Sequence, residues 1–81
     1  MERTEIESKI NTFLTEELEI DSEKIQPSST LKEGLGIDSL DFVDIVVLVN
    51  REFGFKIKPE EMKSVLTLGQ FYDYIESRVN Q

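Results

Sequence analysis

The chain contains no cysteine, no histidine and no tryptophan, and only two prolines and four glycines in 81 residues. Without cysteine there is no disulfide framework, no thiolate zinc site and no thiol nucleophile. Without histidine the usual general base, the commonest metal ligand and every Ser-His pair are missing. Positive charge is scarce: nine Lys and Arg face seventeen Asp and Glu, a formal net charge of −8. That balance argues against nucleic acid and anionic membrane surfaces, whose recognition needs cations. It favours partners that present basic patches. Apolar runs are too short to span a membrane, and no charged-then-apolar leader precedes Ile6. The expectation is one small cytoplasmic domain over residues 1–81, a monomer with no membrane insertion and no nucleic-acid partner.

What the chain does contain is helical periodicity. Thr4 with Glu7 reads as a capping box, and Ile6, Ile10, Phe13, Leu14 and Leu18 follow at helical spacing, fading by Asp21. From Glu19 to Ile37 the period is lost. Gln26-Pro27-Ser28-Ser29-Thr30 is loop composition, yet Ile20, Ile25, Leu31, Leu35 and Ile37 recur through the stretch. Long loops in small domains are usually functional or disordered. Apolar anchors at this density favour a loop lying over a core and delivering the chain to Asp38.

Asp38 is a suitable N-cap for a second helix, with Asp41 as its third-position partner; Ser39 then falls in the first turn with its hydroxyl outward. The β-branched run Val43, Ile45, Val46, Val47 and Val49 is locally compatible with a buried strand. The cap, the length and the spacing of Phe42, Ile45, Val46, Val49 and Phe53 favour a helix with those five on its core face. Asp41, Asp44, Leu48, Arg51 and Glu52 project opposite, with Leu40 and Val47 on the flank. Gly54 ends the helix, and Pro59 with Glu60 and Glu61 opens a short one. Thr67 and Gln70 form another capping box, leading Leu68, Phe71, Tyr72, Ile75 and Val79 into a final amphipathic helix. The expected fold is all-α: a small four-helix bundle, three main helices plus a short third, with a long loop between helices 1 and 2.

No catalytic residue and no metal site are expected. Asp38, Asp41 and Asp44 are spaced by three, whereas a calcium loop needs alternating oxygens and a glycine bend. Gly34 and Gly36 match neither phosphate-binding glycine pattern. Nor does lysine follow Ser39 three residues on, as a serine–lysine nucleophile requires. A serine shown at a helix start, on an acidic helix, suits the substrate of another enzyme; the plain alternative is a cap-region serine with no further role.

At Leu35-Gly36-Ile37-Asp38-Ser39-Leu40-Asp41 the sequence resembles the acyl carrier proteins, whose hallmark is Asp-Ser-Leu at the start of the second helix after Leu-Gly-x. The likeness extends through Arg51-Glu52-Phe53-Gly54, Ile57-Lys58-Pro59-Glu60-Glu61, Thr67-Leu68-Gly69-Gln70 and Asp73-Tyr74-Ile75. It implies that Ser39, flanked by Asp38 and Leu40, bears a covalent 4′-phosphopantetheine transferred from coenzyme A by a phosphopantetheinyl transferase. Acyl groups would ride on it as thioesters, for fatty acid or related polyketide-like or specialised lipid biosynthesis. The chain would then be a carrier and no enzyme, meeting acyl transferases and synthases with basic patches. A peptidyl or aminoacyl carrier shares these features, and an unmodified acidic helical interaction module or a small acidic metal-binding protein are readings of other classes.

The family's docking surface falls on Leu40, Asp41, Asp44, Val47, Leu48 and Arg51. Arg51 and Asn50 stand where acidic residues are frequent, and Leu48 where alanine often is, implying a different partner set. Phe42, Met62 and Phe71 occupy positions that are often smaller. They imply an acyl pocket partly filled and suited to short or rigid chains, unless repacking opens equivalent space.

Overall fold

The computed structural model describes residues 1–80; Gln81, the last residue of the expected domain, lies outside the described residues. Four α-helices form among the described residues: α1 Arg3–Glu16, α2 Ser39–Phe53, α3 Pro59–Met62 and α4 Leu68–Val79. Extended pairing among the described residues is confined to one antiparallel bridge, Thr30 with Thr67. The all-α expectation holds, and the 42–49 segment is helical within α2.

Helix α1 buries Ile6, Ile10, Phe13 and Leu14 as the spacing requires. Its start departs from expectation. The helix begins one residue before Thr4, at Arg3, with Glu2 as an N-cap that makes no side-chain bond. Glu7 is occupied elsewhere: its carboxylate accepts from the Arg3 guanidinium at 2.7 Å. Arg3 also reaches Asp73 at 2.7 Å and Glu76 at 2.9 Å, and lies over the Tyr72 ring. A fork of donors meeting three carboxylates outcompetes a threonine cap. It also ties α1 to α4, which pack together. Helix α1 stops slightly earlier than its apolar stripe, and the chain turns away through Glu19 at φ 56°.

Helices α2 and α4 carry complete capping boxes, Asp38 with Asp41 and Thr67 with Gln70. Gly54 closes α2 in the left-handed conformation at φ 78°, which a residue with a Cβ adopts only at a cost. Pro59 opens α3, where its missing N–H would have had no partner.

The loop before α2 is covered on one side by its own core residues: Leu35 and Ile37 are buried, and Ile20, Ile25 and Leu31 pack against the same cluster. Backbone bonds then stitch it to the beginning of α4. Leu31 N–H donates to Leu66 O, Leu68 N–H to Ser29 O and Gly69 N–H to Pro27 O, each at 2.9 Å. These bonds satisfy loop groups that would otherwise lie unpaired against the core.

Two tyrosines close the other side of α4. The Tyr72 hydroxyl donates to Asn11 of α1, and the Tyr74 hydroxyl donates to Glu61 of α3 at 2.8 Å. Burial pushes both phenols above the ordinary value of 10.0, and the Glu61 hydrogen bond adds to the effect at Tyr74. A group whose pKa rises on folding lends stability that is complete below its unfolded value and is lost as pH climbs through the folded one. The ultraviolet phenolate band is therefore expected to develop above pH 10 for both tyrosines, with tyrosine-linked loss of stability confined to that range. A tyrosine that titrates at or below its ordinary value in the folded protein would contradict this arrangement.

Candidate functional site

Ser39 is the first residue of α2 and is exposed. Its neighbours make the cap. Asp38 accepts from Asp41 N–H at 2.9 Å, and Asp41 accepts from Asp38 N–H at 3.4 Å. The serine hydroxyl is thus left out of the cap while the backbone beneath it is held by both neighbours. Helix N-terminal N–H groups and the dipole of α2 favour negative charge at this position.

The approach to Ser39 is set by the loop. Gly34 N–H donates to Thr30 Oγ1 at 2.8 Å, Leu35 N–H to Thr30 O at 2.9 Å and Ile37 N–H to Leu31 O at 3.0 Å. Glycine is required at position 34 by close approach: a Cβ there would meet the Thr30 backbone N and O at 2.8 Å. A tight turn over residues 30–35 therefore delivers buried Ile37 and then Asp38.

Beside Ser39 lies a cleft of about 250 Å³. Its apolar walls come from all four helices, through Leu14, Phe42, Ile45, Met62, Leu68 and Phe71, and from Leu31, Ile37 and Val65. Its polar members are Lys32, Asp38 and Ser39. The three bulky residues expected to fill such a pocket, Phe42, Met62 and Phe71, stand in its wall and leave this space open.

The outer face of α2 carries Leu40 at 76% exposure, Val43 at 60% and Val47 at 61%, an apolar stripe, with Asp44 and Arg51 exposed beside it. Asp41 is half-buried, its carboxylate turned to the cap. Leu48 corrects the expectation. It is only 6% exposed and belongs to the core, so it is not part of the outer face. The reason is that α2 is covered from two sides. The end of α1 and the residues after it approach the Leu48 side: Glu17 and Leu18 share a surface depression with Leu48, and Arg51 pairs with Glu17 at 3.4 Å. At 100° per residue, the arc from Leu48 to half-buried Val46 spans roughly 160° of the helix, wider than a single apolar face.

Val43 is the member of the outer face that projection from the sequence missed. Its signal was available, since Leu40, Val43 and Val47 are spaced by three and four and share a face of their own. Arg51, which stands where acidic residues are frequent in the family, is partly neutralised by Glu17 and by Glu52 at 3.5 Å. Among the described residues no three acidic side chains converge as a metal site would need. Nor is any helix of the described residues long and apolar enough to cross a membrane.

Residues 8–75 match the family described as "Phosphopantetheine attachment site". The chain is also 35% identical to the acyl carrier protein of Thermotoga maritima over 77 residues, 95% of each chain. The chain belongs to the acyl carrier protein family. Similar members include the acyl carrier protein of Thermosynechococcus vestitus, 33% identical over 79 residues and 98% of each chain. Another is acyl carrier protein 2 of Ralstonia nicotianae, 38% identical over 77 residues and 95% of each chain. The acyl carrier protein family is non-catalytic, and its prosthetic group is a covalently attached 4′-phosphopantetheine. The geometry around Ser39 fits such a group: an exposed hydroxyl on a capped helix start, with an apolar cleft alongside.

Proposed function

We propose that Ser39 is the attachment residue, and that the chain is a single carrier domain presenting acyl groups to cytoplasmic enzymes of fatty acid or related biosynthesis. The observation that carries this reading is the exposed Ser39 hydroxyl at the first position of α2, on the rim of the apolar cleft. A phosphopantetheinyl transferase is the partner that loads it. A phosphodiester forms at Ser39 Oγ, the hydroxyl proton is lost, and the adenosine bisphosphate portion of coenzyme A leaves. When bound, the arm supplies the thiol that this cysteine-free chain lacks, and with it thioester chemistry. The chain's own residues hold Ser39 outward, shelter the apolar cargo and offer a docking face.

That docking face consists of Leu40, Val43 and Val47 with Asp41, Asp44 and Arg51 around them. A small apolar patch ringed by charge suits transient encounter with basic enzymes, where the charges steer and the patch holds. Incubating the chain with coenzyme A and a promiscuous transferase, then measuring intact mass, tests the proposal. One added phosphopantetheine per chain is expected, and an unchanged mass would overturn it.

The cleft sets a second expectation. An apolar cavity of about 150 Å³ accommodates one benzene, so this one has room for roughly ten carbons. Across a graded acyl series on the loaded protein, melting temperature is expected to rise with each methylene up to about that length and then level off. A steady rise through long chains would show that the cleft opens further than its present walls allow.

A further inference from the structure

One cation sits among the residues lining the cleft: Lys32. It lies in the turn over residues 30–35, whose backbone is held by the bonds from Leu35 to Thr30 and from Ile37 to Leu31. Leu31 N–H fixes the same turn to Leu66 at 2.9 Å. Lys32 is itself exposed and has no ion-pair partner among the described residues. Five of the six ion-pair contacts among the described residues belong to Arg3 or Arg51 and the sixth to Arg78, none of which lines the cleft.

The surroundings of Ser39 pose an electrostatic problem. A phosphodiester on its Oγ carries a negative charge and would sit between the carboxylates of Asp38 and Asp41, in a chain of net charge −8. The dipole of α2 offsets part of this repulsion but acts only within its first turn. Lysine can lay its methylenes along an apolar wall while its ammonium stays in water. On this cleft the apolar wall is Leu31, Phe42 and Met62, and the wet rim is where Asp38 and Ser39 stand. Sending the ammonium inward instead would leave a charge unpaired among apolar groups, which is costly.

We infer that Lys32 is the phosphate-holding residue of this carrier: its ammonium pairs with the phosphodiester on Ser39 and fixes the arm's first segment over the mouth of the cleft. The inference rests on the reading of Ser39 as the attachment residue. It makes the turn over residues 30–35 part of the binding site, through a side chain that the Asp-Ser-Leu motif does not include.

Comparing the ε-carbon resonance of Lys32 by NMR in the unloaded and loaded protein tests this, with intact mass confirming the loading. Loading is expected to displace that resonance, as a new ion pair at the ammonium would. The shift should shrink in about 1 M salt, and Lys24 should show none. The phosphorus resonance of the loaded protein should move toward that of free phosphopantetheine in Lys32→Met and return in Lys32→Arg. If mass shows the arm in place but neither resonance responds, the role of Lys32 is overturned while the attachment reading stands. If Lys32 responds only when the thiol bears an acidic acyl group, the ammonium serves the cargo and the phosphate assignment fails. If Ser39 takes up no arm at all, both readings fall together, and the mass alone reveals it.

Discussion

With Ser39 replaced by alanine, the chain is expected to gain no phosphopantetheine under conditions that load the wild type completely. The loss should be total, because the neighbouring candidates cannot substitute. Asp38 and Asp41 offer carboxylates already engaged in the cap, and no thiol exists anywhere in the chain. The fold should scarcely notice. Ser39 is exposed, both cap bonds belong to Asp38 and Asp41, and alanine is a good helix former in the first turn. A change within about 0.5 kcal/mol is expected, so the melting temperature should stay within about 4 °C of wild type. Intact mass and thermal melting read the two halves of the prediction independently. Residual loading of the folded variant would place the attachment elsewhere.

Leu48→Ala should do the opposite: leave loading chemistry in place and weaken the fold. Leu48 is 6% exposed and packs in the same cluster as Ile45 and Val49. Truncating a buried leucine costs about 2–4 kcal/mol, part of it transfer and part of it the cavity left behind. For a domain of this size that lowers melting temperature by roughly 10–25 °C. Val47→Ala, one residue earlier at 61% exposure, should change stability by about 0.5 kcal/mol or less and act instead on association with partner enzymes. Thermal melts of the two variants side by side distinguish core from docking face. A Leu48→Ala protein as stable as wild type, but slower with its partners, would return Leu48 to the outer surface.

The helix start at Ser39 and the burial of Leu48 mark how far local patterns reach and where they stop. The capped helix start at Ser39 was legible because its causes are local: Asp38 and Asp41 are three apart, and a capping box needs nothing beyond one turn. The same holds for Thr67 with Gln70, Pro59 at the start of α3 and Gly54 at the end of α2. Leu48 was not legible, because its burial depends on where the end of α1 lies, which no period within α2 records. Thr4 and Glu7 failed for a related reason. The pattern was present, but Arg3 drew Glu7 into a cluster with Asp73 and Glu76, some seventy positions away in the chain. Val43 had a local signal, and it was masked by β-branched neighbours that all look suited to a core. The cleft and Lys32 at its rim exist only once α3, α4 and the loop have met.

The stitching between the loop and the start of α4 has a consequence for the order in which the chain becomes usable. The Leu31 N–H and the carbonyls of Ser29 and Pro27 find their backbone partners in Leu66, Leu68 and Gly69. Chains emerge from the ribosome N-terminus first. Ser39 is therefore translated well before the segment that steadies its approach, and a nascent chain halted short of residue 66 has the serine without the seam. If a transferase loads Ser39 by reading this geometry, finished chains are expected to take up the arm and chains truncated before residue 66 are expected not to.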